Sequence, residues 1–506
     1  MSYPFWDIPF GYGPLMGGLA IFHVFISHFA VGGGLYLVVV ETIARKKNDT
    51  ETLDFLEGLS KFFVLTTLVM GALTGVGIWF IIGLLNPAAT EALIRHYVWA
   101  WAIEWTMFVV EIAAAILYFY GWKKMDPKAH LKLGWLYFGA AWGSLLVING
   151  IITFMLTPGT WLETGSFWDG YFNPTFWPSL VFRTGIAITM AGLWSVMVLS
   201  RRKADDFKAR AVRHTTAWGL LGLAITVPSF YWYWLAIPEA MRTTLVEQMP
   251  TPMMAFKMTY VLAAVLAGIF LVFGIALSRR FVFPIAAVAM VVGILSFGSF
   301  EWFRESARKP YVIGGYMYGN GIEVAKVETF QKEGMLTHIP YRTEDAGADL
   351  FRHACRHCHT LDGYKPLEPA LGGMDTDFIA GVIKGTQVIK GNMPPFAGSE
   401  GEVQLLADYL ARATDQRPLA EITGLSGKAL GAEVYARRCG ICHELGGFRD
   451  ISESLVDSDA EELGALLDSA GEYAEEMPAF TGDDTERAAL IEFLEALEPA
   501  AQEDAS

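Results

Sequence analysis

Eight long apolar segments dominate the chain, near residues 15–44, 56–85, 97–122, 131–156, 177–200, 214–236, 253–278 and 281–303. Each is long enough for a helix that crosses the hydrocarbon core of a bilayer, which takes about 20 residues. Helix is what lipid demands of such a segment, because its backbone N–H and C=O groups must be satisfied internally. Composition agrees: 53% of the 506 residues are hydrophobic, 18% are charged, and there are 16 Trp. No soluble interior of this size holds so much apolar side chain, so an ordinary soluble enzyme and a disordered or fibrous chain are both excluded. A net charge of −15 without a basic stripe excludes nucleic-acid binding. The seventh and eighth segments are divided only by Arg279–Arg280. The first is too long for a cleavable signal peptide, and seven more come after it.

Basic residues in the short connections set the expected orientation, since they favour the cytoplasmic side. Alternate connections hold Arg45, Lys46 and Lys47; Lys123, Lys124, Lys128 and Lys132; Arg201, Arg202, Lys203, Lys208, Arg210 and Arg213; and Arg279 and Arg280. The opposite ones (86–95, 157–176, 237–252) offer Arg95 and Arg242. The N-terminus is therefore expected outside, and eight crossings return the chain to the outside. The C-terminal region that emerges there is acidic: residues 341–506 hold 13 Lys and Arg against 32 Asp and Glu. The expected organisation is an all-α, polytopic helix bundle over 1–320 and a linker over 321–340. Two small helical domains are expected at 341–418 and 425–500, then a tail at 501–506.

All four cysteines lie in the acidic region, as Cys355-Arg356-His357-Cys358-His359 and Cys439-Gly440-Ile441-Cys442-His443. Both are C-x-x-C-H, in which two thioethers fix the haem vinyl groups and the adjoining His ligates the iron. The copies stand 84 residues apart, and Met393-Pro394 and Met477-Pro478 each lie 34 residues past the motif His. Equal offsets predict a duplicated cytochrome c module with Met393 and Met477 as sixth ligands, a pairing that raises the potential. The plain alternatives are loop methionines, half of a zinc site, or disulfides, and disulfides leave His359 and His443 unexplained. Covalent haem is attached outside the cytoplasm, in agreement with the charge-based orientation.

Ionisable groups at membrane depth are costly and mark candidate sites. His23 and His28 lie on the first segment, Glu104 and Glu111 share one face of the third at i, i+7, Lys257 lies on the seventh, and Glu301 and Glu305 close the eighth. Read from the residues, they serve a haem or a proton path, without a choice between the two. A lone His on such a helix is more often a packing residue than a ligand.

These residues stand in segments that resemble subunit I of cytochrome bd quinol oxidases. Phe22-His23-Val24-Phe25, a glycine-rich stretch and Glu41-Thr42 resemble that family's first helix. Glu104 and Glu111, followed by Tyr118-Phe119-Tyr120-Gly121-Trp122, resemble its third, with the glutamates seven apart where the family has them eight apart. Val147-Ile148-Asn149-Gly150 resembles the fourth helix, and Glu305-Ser306-Ala307-Arg308-Lys309-Pro310-Tyr311 resembles a segment whose Glu ligates a haem. The resemblance covers about the first 320 residues. It implies His23 and Glu305 as haem ligands, Glu104 at the active haem, Glu111 on the proton path, and two haems of b or b/d type in the membrane domain.

Three departures accompany it. Arg183 stands where the family has the His of its low-spin haem, although Met258 lies near the opposing Met, so that haem is expected to be absent or re-ligated, with His28 or His96 as replacement candidates. The 237–252 connection is short where the family oxidises quinol, and the dihaem region replaces the last helix. The leading expectation is therefore electron entry through two c haems and reduction of O2 at the membrane haems. The alternatives are a conduit between the quinone pool and periplasmic cytochromes, or a docking scaffold.

Expected partners are membrane lipid, a second membrane subunit with small single-span subunits, and a periplasmic cytochrome c or other redox protein, with quinone possible and no nucleic acid. The expected place is the bacterial inner membrane, with the N-terminus and c domains periplasmic. The acidic stretch 457–476 either steers a basic donor or simply solvates the domain. His96, His130, His214 and His338 are expected at the interface, and Gly32-Gly33-Gly34 at a close helix contact.

Overall fold

The computed structural model describes residues 6–389, 391–456, 458–473 and 477–497. Eight helices are long and apolar enough to cross a membrane: Tyr12–Lys47, Thr50–Leu85, Val98–Gly121, Pro127–Leu156, Phe176–Ser200, Asp206–Ala236, Pro250–Ala276 and Phe283–Ala307. In chain order they are spans one to eight. The break between spans seven and eight is a short 3₁₀ turn over Ser278–Arg280, after which Pro284 suits the first turn of the last span. Carboxylates start three of the spans, and ahead of span two Asp49 accepts from the Thr52 N–H. Asp126 accepts from the backbone N–H groups of Lys128 and Ala129 ahead of span four, and Asp205 from Lys208 ahead of span six.

Spans three and four, five and six, and seven and eight pack as hairpins, and span one lies along span five. Within their apolar stretches, 72% of spans one and five is buried, against 11% of span two and 17% of span three. Backbone approach explains the buried pair. A Cβ on Gly32 would sit 1.7 Å from the Ala187 carbonyl oxygen, so the glycine run of span one does meet a neighbouring helix directly. Spans two and three instead present Leu65, Leu73, Val76, Phe80, Trp99 and Trp105 outward. Span two carries a π-helical stretch at Leu65–Gly71 just before Thr74, and span seven another at Phe270–Ala276.

Beyond span eight, Tyr311–Ile313 and Met317–Tyr318 form the one small antiparallel sheet among the described residues. Residues 321–340, expected as a linker, fold instead onto the domain after them. Ile322, Met335 and Ile339 join its core, and Met335 and Leu336 N–H groups donate to Glu402 at 2.7 and 2.8 Å. Apolar side chains in that stretch, together with a buried carboxylate needing donors, account for the difference.

The first small domain wraps helices Ala346–Ala354, Thr376–Lys384 and Glu400–Ala413 around Leu350, Phe351, Phe378, Ile379, Leu406 and Leu410. The second arranges Gly427–Val434, Ala460–Asp468 and Asp484–Glu495 around Leu430, Val434, Leu463 and Leu490. Its expected end at 498–500, the tail 501–506, and residues 457 and 474–476 of the acidic stretch lie outside the described residues.

Candidate functional site

In each small domain the C-x-x-C-H motif comes directly after a short helix, and the backbone turns back so that His359 N donates to Cys355 O and His443 N to Cys439 O. The His359 Nδ1–H donates to Lys365 O at 3.1 Å, and the His443 Nδ1–H to Arg449 O at 3.0 Å. A carbonyl can only accept, so both rings keep the tautomer that leaves Nε2 with a lone pair for iron. None of the four cysteines is in a disulfide, and among the described residues no group of three or more His, Cys, Asp or Glu converges as metal ligands. Zinc and disulfide readings lose their support. Burial pushes the Cys355 and Cys439 thiols up to about 12, which keeps them neutral at ordinary pH. The residues fit covalent haem, with Met393 and Met477 on the loops after each motif.

The first domain is seated on the same end of the bundle as the N-terminus. Arg356 donates through Nε to Asp7 Oδ1 at 2.6 Å and through a terminal N–H to Ile8 O at 2.7 Å. His357 meets Tyr12 edge to face with centroids 5.4 Å apart, and burial near His353 and Lys309 holds its ring down to about 3, so it docks uncharged. Tyr364 closes over Gly11 and Gly13, where added Cβ atoms would lie 3.0 and 2.6 Å from it. Lys309 Nζ and Cys358 Sγ both come within 4 Å of the point a Gly319 Cβ would occupy. The first motif thus lies beside the segment that begins at Glu305.

Within the membrane body, His23 Nδ1 lies 3.0 Å from Thr74 Oγ1, whose own proton goes to Met70 O at 2.6 Å. His23 is therefore the donor, and its Nε2 lone pair is available to iron. The ring packs on Gly75, where a Cβ would lie 3.1 Å from Cε1. Glu104 accepts from Ser144 and Glu111 from Tyr137, both at 3.0 Å. Spans three and four run antiparallel, so these contacts are rungs spaced seven residues apart. A third rung continues the series: the rings of Tyr118 and His130 stack 4.3 Å apart, and both groups bond Glu41, the phenol at 2.7 Å and His130 Nδ1 at 2.7 Å. His130 is 1% exposed, and with its Nε2 on Tyr118 O neither nitrogen is left for a metal. Sequence reading missed the third rung, whose only signal was one more step of seven from Glu111 to Tyr118.

Arg183 is 2% exposed and pairs with Glu301 Oε1 at 3.0 Å, while Arg304 Nε holds the other oxygen at 2.9 Å. A buried arginine needs such a partner, because its desolvation is otherwise uncompensated. Beside it Phe182, Phe230, Phe256, Phe300 and Phe303 pack ring on ring, with Phe182 and Phe300 4.2 Å apart. Met258 is 39% exposed. His28 donates through Nδ1 to Val24 O at 2.6 Å, and its buried Nε2 has no hydrogen-bond partner among the described residues. His96 stacks edge-on against Trp161 and Tyr316. Glu305 is bonded by Arg308, with Lys309 3.5 Å away, so its carboxylate is shared with cations. His214 lies against Tyr36, and His338 stacks on Phe330 and meets Glu333.

Residues 15–233 match the family described as cytochrome bd terminal oxidase subunit I, and residues 342–410 and 428–494 each match cytochrome c oxidase, cbb3-type, subunit III. Among solved structures, the fold is similar to the bd oxidase from Geobacillus thermodenitrificans, with a TM-score of 0.53 and 15% identity over 61% of this chain and 90% of that one. No curated protein matches the chain. The chain is a haem electron-transfer protein in which a cytochrome bd subunit I domain carries two cbb3-type cytochrome c domains.

Proposed function

We propose that this protein is a terminal oxidase that takes electrons through its two cytochrome c domains and reduces O2 at haems held in the membrane body. The observation that carries the reading is the first C-x-x-C-H motif, anchored by Arg356 and His357 on the body beside the Glu305–Lys309 segment. Haem at these sites supplies one-electron transfer and, where an iron position is open, binding of O2. Each O2 takes four electrons and four protons and leaves as two waters. His23 offers Nε2 as a ligand with its tautomer held by Thr74, and Glu305 is the second candidate ligand. Glu104 and Glu111 hold protons, Ser144 and Tyr137 orient them, and the Glu41–His130–Tyr118 rung lies at the opposite end of spans three and four from the c domains. The basic connections lie at that same far end, which favours a cytoplasmic origin for the protons and a periplasmic place for the c domains.

Arg183, its partner Glu301 and the packed phenylalanines support two haems in the body, without the low-spin site of the related enzymes. The partners we propose are a second membrane subunit, small single-span subunits, and a periplasmic cytochrome c or similar redox protein in place of quinol. The test is O2 uptake by the purified complex with reduced cytochrome c, together with carbon monoxide binding to the reduced form. Brisk uptake and a clear five-coordinate signal are expected. Rapid quinol oxidation without a c-type donor overturns the proposed route, and absence of a carbon monoxide signal leaves the conduit reading instead.

A further inference from the structure

We propose that the two cytochrome c domains work in single file, with the second domain as the outer, donor-facing station and the first as the one that delivers electrons to the membrane body. The inference rests on the electron route proposed above and adds its order.

In a cytochrome c domain the C-x-x-C-H loop and the Met loop embrace opposite faces of one porphyrin, so a surface touching both loops lies against the haem edge. Each domain turns both loops inward, but onto different neighbours. In the first domain, the two residues between the cysteines are docking groups on the membrane body: Arg356 binds Asp7 and Ile8, and His357 meets Tyr12. Its Met393 loop leans the same way, since a Cβ on Gly391 would lie 2.7 Å from Gln248 Oε1 and 3.5 Å from Thr244. Those two residues belong to the short helix Glu239–Gln248 between spans six and seven.

In the second domain the residues between the cysteines are Gly440 and Ile441, and Ile441 packs against the core of the first domain. The Met477 loop turns the same way, because a Cβ on Gly381 of the first domain would lie 2.9 Å from Pro478. Arg438 fastens the contact by donating to Gly373 O at 2.8 Å. One domain therefore offers its haem edge to the membrane body, and the other offers its edge to the first domain. Each step moves one electron: the donor protein is oxidised as the second domain is reduced, which is reoxidised as the first is reduced, with no proton or group transferred.

The experiment tracks reduction of each haem class by stopped-flow spectroscopy in the full complex, with a reduced basic cytochrome c as donor. In C439A/C442A, with haem stain reporting retention of the first c haem, its reduction by the donor is expected to slow at least tenfold. In C355A/C358A the second c haem is expected to be reduced by the donor while the non-covalent haems stay oxidised. Should either pair destabilise its domain, Met393→His and Met477→His lower one potential while keeping its haem. With Met393→His, electrons are expected to accumulate on the second c haem. Reduction of the non-covalent haems at the unaltered rate in C355A/C358A overturns the order, and so does an unchanged first haem in C439A/C442A. A different result tests the underlying route: if the non-covalent haems of the unaltered protein take no electrons from either c haem, the function fails, whereas second-to-first transfer still judges the order.

Discussion

The two cytochrome c domains are copies in register, yet they neutralise the same buried carboxylate in different ways. Glu402 and Glu486 stand 84 residues apart, the spacing that also separates the cysteines, the motif histidines and the candidate methionines. In the first domain Glu402 collects backbone N–H groups from Met335, Leu336 and Ser399, at 2.7, 2.8 and 2.7 Å. In the second, Glu486 takes one backbone N–H from Leu419 at 2.7 Å and pairs with Arg438 at 2.5 Å. The position equivalent to Arg438 in the first domain is Ala354. Both draw in the segment before them, Met335 and Leu419 standing at the same register, and the second adds a salt bridge that also reaches its neighbour. The copy without the arginine is the one seated on the membrane, and the copy that carries it is fastened by it to the first domain.

This contrast is open to direct attack. The largest effect is expected from Arg438→Ala, which strands Glu486 in the interior. Removing one partner of a buried pair costs about 3–5 kcal/mol, so hydrogen exchange on the full chain should show the second domain opening while the first holds. Equal loss in both domains breaks the comparison. Glu402→Gln comes next, because the amide keeps one acceptor oxygen but forfeits charge-assisted bonds, each worth about 1.5–3 kcal/mol. Residues 335–339 should lose exchange protection with the first domain and the second should be untouched.

Arg356→Ala removes the contact to Asp7, which is 41% exposed, so the direct cost is expected near 1 kcal/mol or less. Its readout is faster proteolysis between the body and the first domain, with both c haems retained. The smallest effect belongs to the joint between the domains, where the Arg417 side chain and backbone N–H hold Asp415 down to about 2 from an ordinary 3.8. A depressed carboxylate stabilises the folded form above its unfolded value and loses that contribution as pH falls from 3.8 towards 2. Asp415→Asn should flatten this acid limb by losing that small contribution at neutral pH, with stability below pH 2 unchanged.

Much was legible because the relevant physics is local or periodic. Lipid requires about 20 apolar residues in a row, and eight such runs became eight helices. Thioether and iron ligation require C-x-x-C-H, and that spacing pointed to both cytochrome c domains and their register. Glu104 and Glu111 stood out because carboxylates in apolar helices are rare. Less of the surrounding geometry was legible. That Ser144, Tyr137 and His130 answer Glu104, Glu111 and Tyr118 depends on how spans three and four align, and hydroxyls and aromatic rings in a helix carry no mark of such a role. Residues 321–340 read as a connection because their few apolar side chains show no period until the Glu402 acceptor is in place.

By itself the sequence determined the number of spans, the two cytochrome c domains and their duplication, since each arises from residues close along the chain. Only the tertiary structure decided that Arg183 meets Glu301, that the aromatic side chains beside them pack together, and which face each c domain turns inward. Those outcomes depend on groups brought together from distant parts of the chain, whose desolvation and packing are settled when the helices meet and not before.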